Sequence, residues 1–383
     1  MHVLFIPKWF PGRHDPQLGD FIRKQGLAVA TRARTSVLVL VGVRDDALVG
    51  TEVREEAGLW ELHCYYRLQD GPSSPASRMR NAWAYLRAGL QGWERIVRER
   101  GRPDLVHAHI LVRPVALARL LQRRFRVPYL VSEQSSVFLD GSWEKRSAME
   151  QRMARRLMRH AAMVTAVSPW LGDALVTQGL CTKYEVVPNV IPGLDRPLPP
   201  AGRPGHFLVV ADLVDRTKNV SGVLRALRAA RLERPDLRLD IIGDGPDRAA
   251  LEALCQELSL GGSVHFLGRL ANSAVLDHMA GCGAVVVNSN VETFSVVTGE
   301  SLALGKPVIA TRCGGPVAFV TAENGILVEP RDDNALAAAM LDLTRGADRF
   351  HPDLVRRSVD RRFSPQAVAG GFISLYEQVL HHG

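Results

Sequence analysis

One rhythm constrains this sequence more than anything else in it. Short apolar, largely β-branched runs alternate with amphipathic segments of helical period, and the pattern occurs twice. In the first half the apolar runs fall at residues 3–6, 36–41, 105–108, 129–132, 163–167 and 184–187. Amphipathic segments lie between them, at 20–30, 79–98, 115–124 and 144–160. Runs that are apolar throughout, with no polar alternation, predict parallel strands covered on both faces. Strand–helix alternation predicts βαβ units and a doubly wound sheet. The pattern breaks at residues 191–205, where five prolines and three glycines predict a linker. It resumes with runs at 207–210, 239–242, 264–266, 284–287, 308–310 and 326–328. A final amphipathic segment, 366–379, follows the last run and has no strand of its own. The expected architecture is α/β, with two Rossmann-like doubly wound parallel-sheet domains facing across a cleft.

Charge divides along the same line. Residues 1–200 carry 29 Lys+Arg against 19 Asp+Glu, whereas residues 201–383 carry 19 against 21. The net +8 therefore belongs to the first half, which suits an anionic partner or an Arg-rich surface, 42 of the 48 cations being Arg. The five cysteines are scattered and form no Cys-x-x-Cys pair, which excludes a thiolate zinc site and favours a reducing compartment. The apolar run near Met1 is too short for a signal peptide, and no run of about 18 apolar residues occurs. A cytoplasmic protein is expected, with at most peripheral attachment to the inner face of the cell membrane.

Ligands of such domains bind at the carboxyl ends of the strands, where helix N-termini present free N–H groups. The turn after the first run, residues 7–19, is long and Gly/Pro-rich and lacks the tight glycine fingerprint of dinucleotide binding. His107 and His109 end the third run on one side of it, without a third ligand at metal spacing. In the second half, Arg216, Lys218 and Asn219 stand where a helix should begin. Cations are unfavourable there unless an anion is held. Gly243-Asp244-Gly245-Pro246 and Gly268-Arg269 follow the next two runs as close-approach turns. Residues 289–300 follow the run 284–287, with Glu292 just before a helix and Glu300 inside it. Glu292 in that place reads equally as a helix cap. A carboxylate at Glu300, in an otherwise apolar helix, needs partners, and ribose hydroxyls would serve.

At these residues the sequence resembles the retaining family-4, or group 1, glycosyltransferases of the GT-B fold, as found in bacteria. The Glu-x7-Glu signature reads Glu292 to Glu300 inside NSNVETFSVVTGESLALGKPVIAT, followed by CGGP. PDLVHAHI, VSEQSS, VTAVSPWL, VVPNVI, IIGDGP and VHFLGRL fall in the family's order, so the resemblance covers nearly the whole chain. It implies an acceptor-binding domain at 1–192, joined by a returning helix at 365–383, and a nucleotide-sugar-binding domain at 193–364. It also implies that Glu300 holds the ribose. Glu292, with the backbone of Thr293, Phe294 and Ser295, would contact the donor sugar and phosphate. Lys218 would neutralise the diphosphate, Gly19 would lie against it, and His109 would lie beside the transferred sugar. Gly243, Gly268 and Arg269 complete the expected donor site.

The chain departs from the family twice. Val210-Ala211-Asp212-Leu213 stands where relatives carry a phosphate-binding Arg, so Arg216 is the expected substitute, and Gln134 stands in place of a His. No Asp-x-Asp pair occurs, so no metal and no other cofactor is expected. The implied reaction is retaining transfer of a hexose-type sugar from a nucleotide-sugar to a sugar or lipid-linked acceptor, in bacterial polysaccharide, lipopolysaccharide or glycolipid synthesis. Two alternatives share these features: a nucleotide-sugar 2-epimerase, and a non-catalytic nucleotide-sugar-binding protein. The basic half has no nucleic-acid motif. On the segment 144–160, Lys145, Arg152, Arg155, Arg156 and Arg159 flank a stripe of Met149, Met153 and Leu157. That predicts either an anionic-membrane contact or a solvated helix packed on its own sheet.

Overall fold

The computed structural model describes residues 1–13, 15–69, 74–346 and 349–382. The chain forms two compact units, Met1–Val190 with Pro365–Gly383, and Ile191–Ser364.

The first unit holds β1 (His2–Pro7), β2 (Arg34–Val43), β3 (Gly50–Glu56), β4 (Leu59–Arg67), β5 (Leu105–His109), β6 (Tyr129–Glu133), β7 (Met163–Ala166) and β8 (Glu185–Val186). They make one sheet in the order β3-β4-β2-β1-β5-β6-β7-β8. Every pairing is parallel except β3 with β4. The connecting helices are α1 (Asp20–Ala30), α2 (Pro75–Arg100), α3 (Arg113–Phe125), α4 (Ala148–Met158) and α5 (Pro169–Thr177). Local chemistry sets their ends. Ser74 accepts from the Ser77 N–H ahead of Pro75 to start α2, and Ser147 with Glu150 forms a capping box on α4.

The β3–β4 pair was not expected from apolar runs. β4 is buried along its length yet contains Glu61 and His63. Glu61 accepts from Arg23 Nε at 2.7 Å and lies 3.2 Å from His63 Nε2. Although burial works against the carboxylate, His63 and Arg23 hold its pKa below the ordinary value.

The second unit holds β9 (Arg203–Val210), β10 (Arg238–Ile242), β11 (Val264–Gly268), β12 (Cys282–Val287), β13 (Val308–Thr311) and β14 (Gly325–Val328). Its helices are α6 (Asp215–Lys218), α7 (Val220–Ala230), α8 (Arg248–Glu257), α9 (Asn272–Gly281), α10 (Val296–Ala303), α11 (Asp333–Arg345) and α12 (Pro352–Phe363). The sheet order is β11-β10-β9-β12-β13-β14, parallel throughout. The expected linker is shorter than its prolines suggested, because β9 already begins at Arg203 and includes Pro204 and Gly205. There the register with β12 slips, from Arg203 opposite Cys282 to Phe207 opposite Ala284.

The last helix, α13 (Pro365–His382), belongs to the first unit. Val368, Ala369, Phe372, Leu375, Tyr376 and Val379 join a core that contains Val3, Phe5 and Ile22. Full burial of a side chain such as Phe372 stabilises by roughly 1.5–3 kcal/mol, which makes α13 an integral part of that core. Among the described residues no helix is long and apolar enough to cross a membrane.

Candidate functional site

In the order 3-2-1-4-5-6 the chain leaves the first and fourth strands in opposite directions. The crevice at their carboxyl ends is where such folds hold ligands. In the second unit these strands are β9 and β12. The structure joins the segments that follow them. Lys218 Nζ donates to Glu292 Oε1 at 2.6 Å, and the Ser289 hydroxyl donates to the same oxygen at 2.7 Å. The Asn290 N–H donates to the Thr217 carbonyl at 2.8 Å, and its side-chain amide to the Arg216 carbonyl at 2.9 Å.

The backbone around Glu292 is pinned as well. Its N–H donates to the Cys313 carbonyl at 3.0 Å, and its carbonyl accepts from the Gly315 N–H at 2.8 Å. No larger residue fits at Gly315, where a Cβ would stand 2.4 Å from Phe294 Cα. Glu292 is not a helix cap: Ser295 precedes α10 in the left-handed region, at φ 73°, and α10 has no side-chain cap. Burial disfavours the Lys218 ammonium, but Glu292 and, further off, Asp212 raise its pKa above the ordinary value.

Arg216 does not join this pair. Its side chain is exposed and forms no ion pair among the described residues. Asp212 acquires a partner that the sequence did not announce, as Arg269 Nη2 lies 3.7 Å from its Oδ1. Gly243 and Gly268 meet at the same edge, the Gly243 N–H donating to the Gly268 carbonyl at 2.8 Å. A Cβ on Gly243 would stand 1.8 Å from the Ala211 carbonyl oxygen, so the close approach requires glycine.

Glu300 is 3% exposed and accepts from Asn272 Nδ2 at 2.8 Å. Asn272 was not among the expected site residues, because an Asn at the start of α9 reads as a cap, yet its side chain reaches Glu300 instead. Phe294 was expected to act through its backbone. Its ring is 3% exposed and packs on Phe319 and Phe363, leaving only its backbone for a ligand. Thr293 is half-buried, and the Ser295 hydroxyl pairs with Thr298 at 2.7 Å.

In the first unit Gly19 precedes α1 at φ 68°, and a Cβ there would stand 2.4 Å from the Trp9 carbonyl. His14, in the same loop, lies outside the described residues. His107 and His109 do share one side of β5, with ring centroids 3.9 Å apart. His107 is a structural residue, bonded to Tyr376 Oη and Ser132 Oγ, each at 2.7 Å. His109 is fully buried, and neither ring nitrogen has a hydrogen-bond partner among the described residues. Burial pushes its pKa down to about 3, so it is a neutral imidazole at physiological pH. Gln134 bonds Gln25 at 3.1 Å, and Gln25 bonds Asn189 at 3.0 Å. Beside it the buried Glu133 accepts from the Leu111, Gln134 and Ser135 N–H groups. Arg155, assigned to a basic face of α4, is instead half-buried and donates to the Gln178 carbonyl.

Comparison with known proteins decides the family. The profile of glycosyl transferases group 1 matches residues 195–351, and that of the glycosyl transferase 4-like domain matches 23–190. The chain belongs to the group 1 glycosyltransferases. It is similar to the lipopolysaccharide core biosynthesis glycosyltransferase LpsD of Rhizobium meliloti, 32% identical over 230 residues. That match covers 56% of this chain and 63% of LpsD, just under two thirds of its length. To the D-inositol 3-phosphate glycosyltransferase of Corynebacterium glutamicum it is 28% identical over 325 residues, 75% of this chain and 77% of that one. Among solved structures, sucrose-phosphate synthase of Thermosynechococcus elongatus superposes with a TM-score of 0.77 at 21% identity, over 100% of both chains. Anabaena HepE in complex with UDP gives 0.73 at 19% identity, over 99% of this chain and 100% of HepE. The fold of this group 1 glycosyltransferase is GT-B.

Proposed function

We propose that the chain transfers a hexose-type sugar from a nucleotide diphosphate sugar to an acceptor hydroxyl, with retention of configuration and without a metal ion. The observation that carries this reading is the Lys218–Glu292–Ser289 cluster at the strand-order reversal of the second sheet. Breaking the sugar–phosphate bond leaves an anionic diphosphate, and catalysis needs positive groups fixed where that charge develops. Lys218, the exposed Arg216 and the N–H groups opening α10 are such groups. Glu300, with one oxygen on Asn272, is suited to accept from vicinal ribose hydroxyls. The bound UDP of HepE supports a uridine nucleotide as the first to try.

A polysaccharide, lipopolysaccharide or glycolipid product is proposed from relatives such as LpsD. A lipid-linked acceptor is consistent with α4, where Met149 (77% exposed) and Met153 (49%) stand beside exposed Arg152, Arg156 and Arg159. The test is a thermal-shift screen of nucleotides, then nucleotide-sugars incubated with EDTA and watched for free nucleotide and anomeric product by NMR. Failure of every nucleotide to raise the melting temperature refutes the donor site. Isomerised donor without an acceptor would make the protein an epimerase.

A further inference from the structure

The first sheet has its own strand-order reversal, between β1 and β5. A cavity of about 430 Å³ opens beside the ends of those strands, lined by Lys8, Trp9, Tyr85, Leu111, Arg113 and Arg146 among others. The three cations come from separate places in the chain: the loop after β1, the first residue of α3 and the segment before α4. None forms an ion pair among the described residues. Lys8 lies 4.7 Å over the Trp9 ring, and Arg113 5.9 Å over the Tyr85 ring. Burial first, and then the nearby Arg146 and Arg113, hold the Lys8 pKa below its ordinary value, against the attraction of Glu133. Glu133 offsets part of this charge, but it bonds three backbone N–H groups and, among the described residues, no ion pair joins it to any of the three cations.

Three cations facing one buried carboxylate leave net positive charge, which destabilises a fold unless a ligand uses it. A second observation points the same way. Tyr85 is 5% exposed, and its hydroxyl is buried with no hydrogen-bond partner in the protein among the described residues. A buried hydroxyl left unpaired costs about 1–3 kcal/mol, whereas an oxyanion in the cavity would accept a hydrogen bond from it. We propose that this cavity binds an anionic group, a phosphate or a carboxylate, carried by the acceptor sugar. The proposal rests on the glycosyltransferase reading above and names the acceptor class for it. Lys8, Arg113 and Arg146 supply charge, and Tyr85 supplies a directed donor.

The experiment titrates the full-length protein, with UDP in excess, by isothermal calorimetry with glucose 6-phosphate, glucuronate and glucose. One of the two anionic sugars should bind at least tenfold more tightly than glucose, and more weakly as salt rises. Whether glucose 6-phosphate or glucuronate prevails tells phosphate from carboxylate. Arg113→Ala and Lys8→Ala should each weaken that binding about tenfold, and Tyr85→Phe, which removes one oxygen from a retained ring, severalfold. UDP binding in the same samples reports separately on the donor reading. If UDP binds but both anionic sugars bind no better than glucose, or if their binding survives Arg113→Ala and Lys8→Ala, the acceptor inference is overturned and the donor site stands.

Discussion

Replacing Lys218 by Met and Glu292 by Gln separates a structural ion pair from a catalytic one. Unit charges about 3 Å apart attract by about 5 kcal/mol at an effective dielectric of about 20. The Lys218 side chain is 26% exposed and that of Glu292 15%, so desolvation and screening remove most of this. A net loss of about 1–2 kcal/mol is expected for either single variant, a fall of about 2–8 °C in melting temperature for a domain of this size. The double variant should recover much of it, since neither charge is then left unpaired. UDP affinity should move in opposite directions. Lys218→Met removes a charge-assisted contact of about 1.5–3 kcal/mol and weakens UDP roughly ten- to hundredfold. Glu292→Gln frees the ammonium and removes a repelling carboxylate, so UDP should bind roughly three- to tenfold more tightly while turnover falls about a hundredfold. Fluorimetric melting and calorimetric UDP titration measure both effects. If the two variants change UDP affinity in the same direction, or not at all, the pair only holds the fold together.

The other outcomes are equally specific. Arg216→Ala should leave the melting temperature within about 1 °C, as its side chain is exposed, yet lower turnover by about a hundredfold if it meets the diphosphate. An unchanged kcat makes it a surface residue. Gly315→Ala should cost several kcal/mol and abolish UDP binding, because its Cβ would press on the Phe294 backbone; a soluble variant with normal UDP affinity contradicts that. Acid should destabilise the fold early. Burial lowers His109 to about 3 and His2 to about 4, against about 6.5 unfolded. The unfolded chain then takes up protons that the folded chain refuses, so stability is full above about pH 6.5 and falls as pH drops towards 3–4. Each histidine accounts for about 2 kcal/mol lost at pH 5. Denaturant midpoints at pH 7 and 5 measure this, and a flat profile refutes it. Liposomes test α4: Met149→Ser with Arg152→Ser should reduce binding to anionic vesicles at low salt, and equal binding to neutral vesicles removes the membrane reading.

The strands of the second sheet were legible because each carries a short, mainly apolar run closed by a polar or glycine turn, such as CGAVVV before Asn288. β4 was not legible, because LWELHCYYR puts Glu61 and His63 in the interior, where charge usually argues against burial. What permits it is Arg23, contributed by α1 and 38 residues earlier in the chain, a partner that no local pattern reveals. The same limit hid Asn272, whose meaning depends on Glu300 being 28 residues away in sequence and 2.8 Å away in space. Glu292 and Lys218 were singled out separately, and only the fold shows that they bond to each other.

That bond changes how the departure at Asp212 should be understood. Arg269 lies 3.7 Å from Asp212 and Glu292 is bonded to Lys218, whereas Arg216 forms no ion pair among the described residues. A diphosphate entering the proposed site would therefore have to draw Lys218 from a carboxylate that already holds it. The exchange is workable because Glu292 does not follow the lysine: its backbone is fixed to Cys313 and Gly315, and Ser289 keeps one oxygen. In the proposed reaction, a carboxylate held in place would compete with the product diphosphate for the same ammonium and so limit how tightly the spent nucleotide binds. Uniformly tight binding would slow turnover without aiding the chemical step. The tighter UDP binding and slower turnover expected of Glu292→Gln are then two consequences of one cause, the loss of the group that takes Lys218 back.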